Sequence, residues 1–395
     1  MLTSLSLIFL VGLAMGAICS HLKLPRIIGM LVTGIVLGPY VLDFLDPSIL
    51  SISADLRKIA LIIILLKAGL SLDLGDLKKV GRPAILLSFL PASFEILGYV
   101  LLAPLLLGIT HMEAAVMGAV SPAVVVPRMV CLMETQYGTK KSIPQMILAG
   151  ASCDDIFVIV LFTTFLSMAQ GGSADIAAFL NIPVSIVCGI LLGIMFGYGL
   201  FFFFETAYAR KHCVRNSMKV IIILGCSFLL IAMEGWLEGK LAISGLLAVT
   251  SMACTLKLKS TTFVSKRLSD KFGKLWLAAE VILFVLVGAA VDIRYTLEAG
   301  LTAVLLILGA LIFRAAGVWI CTIGTPLSLR ERSFCVIAYL PKATVQAAIG
   351  SVPLAAGLTC GKIVLSVAVM AIIITAPLGA LGIDASYKKL LVKEE

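Results

Sequence analysis

The sequence predicts an all-α membrane protein of about thirteen transmembrane helices, built as two copies of one repeat in opposite orientations. Three observations carry that prediction. Of the 395 residues, 61% are hydrophobic and only 13% are charged, a composition foreign to water-soluble domains. The apolar residues gather into runs long enough to cross a bilayer, which takes about 17–25 residues in a helix. The chain also matches itself at an offset of 219 residues.

The apolar runs fall at roughly 3–20, 27–43, 56–72, 83–107, 112–133, 144–169, 180–204, 217–235, 241–256, 273–292, 299–323, 333–356 and 361–383, with ends placed to about 2–4 residues. The first lacks a basic lead-in and a small-residue cleavage site, so it reads as a membrane helix and not a signal peptide. The second carries Gly29, Gly34 and Gly38 before Pro39. The fifth carries Ser121-Pro122-Ala123-Val124-Val125-Val126-Pro127, and the twelfth Leu340-Pro341-Lys342-Ala343-Thr344-Val345-Gln346. Proline removes an N–H and clashes with the preceding turn, so both helices should break at mid-depth near Pro122 and Pro341.

Charge sets the orientation. With the N-terminus outside and the loops numbered alternately, most of the 31 Lys and Arg fall inside, including Lys78, Lys79, Lys140, Lys141, Arg210 and Lys211. Only Arg57, Lys58, Lys240, Arg294 and Lys362 fall outside. That bias predicts an outside N-terminus, an inside C-terminus and an odd number of helices. The net charge of +9 is thus a topology signal and does not call for nucleic acid. Ten cysteines with no Cys-x-x-Cys pair and three histidines in short loops offer neither a disulfide frame nor a metal cluster. No cofactor is expected.

The self-match pairs Gly69 with Gly288, Asp73 with Asp292, Glu95 with Arg314, Gly98 with Gly317 and Pro122 with Pro341. Any one pair is a cheap coincidence, but pairs in register across three successive runs are not. The offset spans seven runs, an odd number, so the copies are inverted. The expected division is 1–169 as the first repeat (runs 1–6, core runs 4–6), 170–216 as a linking seventh helix, and 217–395 as the second repeat (runs 8–13, core runs 11–13). Inverted repeats of this kind mark secondary transporters, with the substrate near the membrane midplane where the repeats meet.

Asp154 and Asp155 interrupt a stretch that is otherwise apolar from Ile147 to Met168. Each carboxylate at the centre of a spanning helix costs about 2.5–3.5 kcal/mol on insertion scales, so the pair is a candidate site. Glu95, Arg314 and Lys342 are the other charges deep within runs that bear on the site, and Glu280 in the tenth run is left without a role. Arg314 cannot lose its proton and needs a permanent counter-ion. Glu95, its repeat-related position, is the first choice and Asp154 the alternative, which leaves Lys342 to balance an aspartate. Lys67 and Arg128 lie nearer the inside ends and are expected to snorkel. Ser121, Ser152 and Thr344 are candidate neutral oxygen ligands.

Gly150-Ala151-Ser152-Cys153-Asp154-Asp155, the proline-flanked string from Ser121 to Pro127, and Pro341-Lys342-Ala343-Thr344-Val345-Gln346-Ala347-Ala348-Ile349-Gly350 resemble the monovalent cation/proton antiporter superfamily. The resemblance runs from Gly29 to Pro377 and is greatest to the NHA-type sodium/proton exchanger branch. It implies an NhaA-type fold with two crossed broken helices, a mobile core and a dimerisation domain in a homodimer. It further implies elevator-like alternating access in a cell (inner) membrane, with Na⁺ or Li⁺ exchanged for H⁺. By resemblance, Asp155 is the shared carrier of cation and proton and Asp154 its partner. Two departures stand out: Val120-Ser121 where many relatives carry Thr-Asp, and Arg314 where electrogenic relatives often carry lysine.

Other readings remain open on the residues alone. K⁺/H⁺ exchange or ion-coupled symport would use the same carboxylates, and a channel would need no alternating access. An intramembrane aspartyl protease also needs two buried aspartates, but on facing helices and in a Gly-x-Gly-Asp context that is missing here. Adjacent residues on one helix point about 100° apart. The expected activity is transport, not catalysis.

Overall fold

Hydropathy sees continuous runs, but backbone geometry divides some of them. The computed structural model describes residues 1–395 except 23, 72–80, 121–125, 171–175, 212–215, 238–242, 293–299, 343 and 394–395. In chain order the helices are α1 (Leu2–His21), α2 (Arg26–Leu37), α3 (Pro47–Ser51), α4 (Ser53–Ser71), α5 (Arg82–Leu87), α6 (Leu90–Leu107), α7 (His111–Gly118), α8 (Val126–Glu134) and α9 (Ile143–Ala169). They continue as α10 (Ile176–Lys211), α11 (Asn216–Leu237), α12 (Gly245–Lys259), α13 (Thr262–Ala289), α14 (Gly300–Cys321), α15 (Leu329–Ala338), α16 (Thr344–Gly350), α17 (Val352–Ala355) and α18 (Gly361–Leu390). Among the described residues, eight helical stretches are long and apolar enough to cross a membrane.

The second run holds only the 12-residue α2, because Pro39 has no N–H with which to continue the helix beyond Gly38. The fifth run is broken between α7 and α8, and the twelfth between α15 and α16. The break in the twelfth run falls at Leu340–Lys342, around Pro341. Pro122 and Ser121 lie outside the described residues.

Two compact units divide the chain. One comprises residues 1–57, 73–169 and 281–395, and the other residues 58–72 and 170–280. The second unit pairs α10 with α12 along Gly189, Gly193 and Gly197. A Cβ at Gly189 would lie 2.7 Å from the Ser244 carbonyl oxygen, and one at Gly197 2.7 Å from Thr255 Cβ. Small residues four apart let membrane helices approach closely, since lipid supplies no hydrophobic drive to bring them together.

The first unit is organised around α6 and α14. A Cβ on Gly98 would meet the Phe313 ring at 3.0 Å, and one on Gly317 would meet Phe94 Cβ at 3.2 Å. Positions 94 and 313 are 219 apart, as are 98 and 317, so one phenylalanine-on-glycine contact is made twice with its roles exchanged. In the same unit α2 presses against the last turns of α13. A Cβ on Gly34 would overlap the Val285 carbonyl oxygen, and one on Gly288 the Leu31 carbonyl oxygen.

Gly34→Ala therefore drives a methyl into backbone that cannot rotate away. Overpacking of this sort costs about 1–3 kcal/mol, and the thermal midpoint of the detergent-solubilised protein should fall. Gly225→Ala, where nothing lies within 4 Å of the new methyl, should hold or raise that midpoint. Equal midpoints for the two variants would refute the close approach of α2 to α13.

Candidate functional site

The 27-residue α9 presents Asp154 and Asp155 at its middle, in different surroundings. Asp154 is fully buried, and its Oδ2 accepts a hydrogen bond from Arg314 Nη2 at 2.8 Å. Asp155 is half-buried, and its Oδ1 is buried with no hydrogen-bond partner among the described residues. A buried acceptor without a donor costs about 1–3 kcal/mol unless water, an ion or a proton meets it.

Arg314, from α14, is also fully buried and reaches three elements. Nη1 donates to Glu95 Oε2 on α6 at 2.6 Å, Nη2 to Asp154, and Nε to the Tyr339 carbonyl at 2.9 Å. That carbonyl is available because α15 ends at Ala338. The last carbonyls of a helix lack intrahelical partners and carry the negative end of its dipole. Pro341, two residues on, disfavours helical backbone at Leu340, so no further turn forms to cover that carbonyl. Its ring packs on Gly379 of α18.

The other Glu95 oxygen, Oε1, accepts from Lys342 Nζ, which is fully buried as well. The backbone N–H of Lys342 donates to Thr375 Oγ1 on α18 at 3.2 Å, and this fixes the unwound segment. The ammonium also lies 5.9 Å from the Tyr99 ring centroid, within the range of a cation–π attraction. Glu95 is thus shared by two cations, one per oxygen.

Several expectations resolve. The two candidate counter-ions of Arg314 do not exclude each other, because the guanidinium fork serves Glu95 and Asp154 together. Lys342 was expected on an aspartate, but its ammonium goes to Glu95. The break at Pro341, tied to Thr375, turns it toward α6. Arg128, expected to snorkel, makes a two-pronged pair with Asp384 of α18 at 2.9 and 3.1 Å. Ser121 and Pro122 lie outside the described residues, and so do the side chains of Ser152 and Thr344. Tyr339 and Thr375 were missed. The first was legible in principle, since a proline at 341 forces open carbonyls just before it.

This buried charge cluster, set beside a broken helix, can be compared with known proteins. The family model described as sodium/hydrogen exchanger, transmembrane, matches residues 5–386. The chain belongs to the sodium/hydrogen exchanger family. Sodium/hydrogen exchanger 9B2 of Homo sapiens is 33% identical over 387 residues, covering 94% of this chain and 71% of that protein. Its counterpart in Xenopus tropicalis is 31% identical over 431 residues, covering 99% and 75%. The solved structure of the sodium proton antiporter MjNhaP1 from Methanocaldococcus jannaschii superposes with a TM-score of 0.80 at 20% identity, over 96% of this chain and 98% of that one. These likenesses place the chain in the NHA-type branch of the cation/proton antiporter superfamily. The fold is that of a multi-pass integral membrane protein with broken helices.

Removing one partner of a buried ion pair costs about 3–5 kcal/mol, because the other charge is stranded. Glu95→Ala should cost that much in thermal stability. Adding Lys342→Met or Arg314→Ala to it should recover part of the loss in each case. Strictly additive losses in either double-mutant cycle would show that the pair in question does not interact.

Proposed function

We propose that this exchanger moves Na⁺ (or Li⁺) against H⁺, with Asp155 as the shared carrier and Asp154 as its partner. One observation carries the reading. Arg314 and Lys342 bring two positive charges to the cluster, and the carboxylates in contact with them, Glu95 and Asp154, bring two negative charges. Those four cancel, and the carboxylate of Asp155 remains.

A hard alkali cation is held by oxygen ligands with negative charge. Either a cation or a proton on Asp155 makes the cluster neutral. Both together would leave an uncompensated positive charge in a low-dielectric interior, which is strongly disfavoured. Competition for one charge is the coupling. It predicts exchange of one cation for one proton, with no net charge carried.

The self-match at 219 residues, the twice-made phenylalanine–glycine contact and the likeness to MjNhaP1 support elevator-type alternating access of two inverted repeats. The repeats are taken as 1–169 and 217–395, with 170–216 linking them. The same reading includes about thirteen spans, an outside N-terminus, an inside C-terminus and a homodimer in the cell (inner) membrane.

Reconstitution in liposomes tests it. An imposed Na⁺ gradient should drive proton flux in the wild type and none in folded Asp155→Asn, whose amide binds cations weakly and carries no proton. Substituting K⁺ for Na⁺ should slow the flux, and clamping the membrane potential should leave it unchanged. Wild-type flux in Asp155→Asn would remove the carrier assignment, while faster flux with K⁺ would reassign the ion. A potential-dependent rate would mean that another charge moves.

A further inference from the structure

Two helix starts in the first unit share a design. At α7, Thr110 Oγ1 accepts from the Glu113 amide at 3.3 Å, and Glu113 Oε2 accepts from the Thr110 amide at 2.9 Å. At α15, Ser328 Oγ accepts from the Glu331 amide at 3.3 Å, and Glu331 Oε2 accepts from the Ser328 amide at 2.7 Å. Both are capping boxes. Position 110 is 218 residues from 328, and 113 is 218 from 331.

Each carboxylate also reaches out of its own helix. Glu331 Oε2 accepts from Lys141 Nζ at 2.7 Å, and Glu113 Oε1 accepts from Thr359 Oγ1 at 3.0 Å. Positions 141 and 359 are again 218 apart, and each lies two residues before a long helix, α9 and α18. The half-helix of one repeat is thus tied to the helix lead-in of the other, twice, with the roles exchanged. One tie is an ion pair, and the other joins a carboxylate to a hydroxyl.

The charged tie closes a ring through the candidate site. From Glu331, α15 runs on to its C-cap at Tyr339, eight positions and about 12 Å along the helix axis. The Tyr339 carbonyl holds Arg314, Arg314 holds Asp154, and α9 leads back from Asp154 to Lys141. A rigid half-helix pinned at both ends fixes how its carbonyl end meets Arg314. We propose that Lys141 and Glu331 are positioning residues for exchange, whose ion pair sets α15 against α9 and so places Arg314 and Asp154 beside Asp155. This rests on the functional reading above.

The tie is a standing one. Burial pushes the Glu331 carboxyl up, but the Lys141 ammonium and the Ser328 amide and hydroxyl outweigh it and hold the group below its ordinary value. Arg332 turns away, donating to the Leu327 and Thr325 carbonyls. A depressed carboxyl stabilises the fold above its unfolded pKa, and that contribution is lost only as pH falls through the lower folded value. The pair therefore stays closed across the neutral range.

The test uses Lys141→Met, Lys141→Arg and Glu331→Gln in liposomes, with Na⁺-driven proton flux read against pH and Na⁺ and normalised to folded protein. Amide hydrogen exchange is followed over residues 143–158. Lys141→Met should raise the apparent KM for Na⁺ about threefold to tenfold, the size expected for a sub-ångström misplacement. With Arg314 held less closely, it should also move the activity midpoint about half a unit to higher pH. Lys141→Arg should restore both. Glu331→Gln, which keeps the amide acceptor of the cap, should behave like Lys141→Met. Unchanged KM and midpoint in Lys141→Met, or equal impairment in Lys141→Arg, would overturn the proposal. Absence of Na⁺-driven flux in the wild type would instead defeat the exchange reading. Hydrogen exchange would then decide the positioning alone: faster exchange in α9 with methionine but not arginine supports it, and no change refutes it.

Discussion

A guanidinium does not give up its proton inside a protein, and Arg314 is fully buried among membrane helices. Such a charge is tolerated only where acceptors are fixed around it beforehand, because desolvation alone costs several kcal/mol. Three elements provide them: α6 with Glu95, α9 with Asp154 and the open end of α15 with the Tyr339 carbonyl. Each of the three is constrained by that requirement. The glycines at 98 and 317 are part of the same solution one layer out. They let α6 and α14 approach until Glu95 and Arg314 meet at 2.6 Å.

Stability by itself does not account for such a cluster. Well-packed apolar residues in place of a buried ion-pair network are often as stable or more so. What apolar residues cannot supply is a neutral surrounding for one further carboxylate. Asp155 stands next to Asp154 on α9, beside charges that already cancel. The sharing of Glu95 between Arg314 and Lys342 matters for the same reason, since it links the break near Pro341 to the pair on α9 through α6. Anything that displaces the break disturbs the balance at the aspartates.

Much of this was legible in the sequence, and the limits are physical. The Glu95–Arg314 pairing follows from the offset of 219, because residues related by an inverted repeat can meet on its pseudo-symmetry axis. The break in the twelfth run follows from Pro341, while Pro122 lies outside the described residues. The capping boxes were also present as Thr110-x-x-Glu113 and Ser328-x-x-Glu331, a pattern with a known geometry. The partner of Lys342 was not legible. A four-carbon side chain beside an unwound segment can reach several acids, and the choice depends on the Thr375 hydroxyl that holds its backbone. The division into units was hidden for a different reason. A self-match records likeness along the chain, whereas compactness records which helices pack, and the larger unit draws on residues 1–57, 73–169 and 281–395 together.

Pro341 joins these threads. In an unbroken helix the Tyr339 carbonyl would accept from the N–H of residue 343, four positions on, and would not be open to Arg314. Lys342 would then sit on a continuous helical face with its N–H consumed by the helix ladder, not held by Thr375. By pushing the residue before it out of helical geometry, a single proline ends the helix, leaves an acceptor open for one buried cation and redirects another toward the same carboxylate. Gly379 completes the arrangement, since the proline ring occupies the space a side chain there would fill. The break is therefore where backbone chemistry becomes electrostatics: the carbonyl it opens and the lysine it turns both act on the charges that surround Asp155.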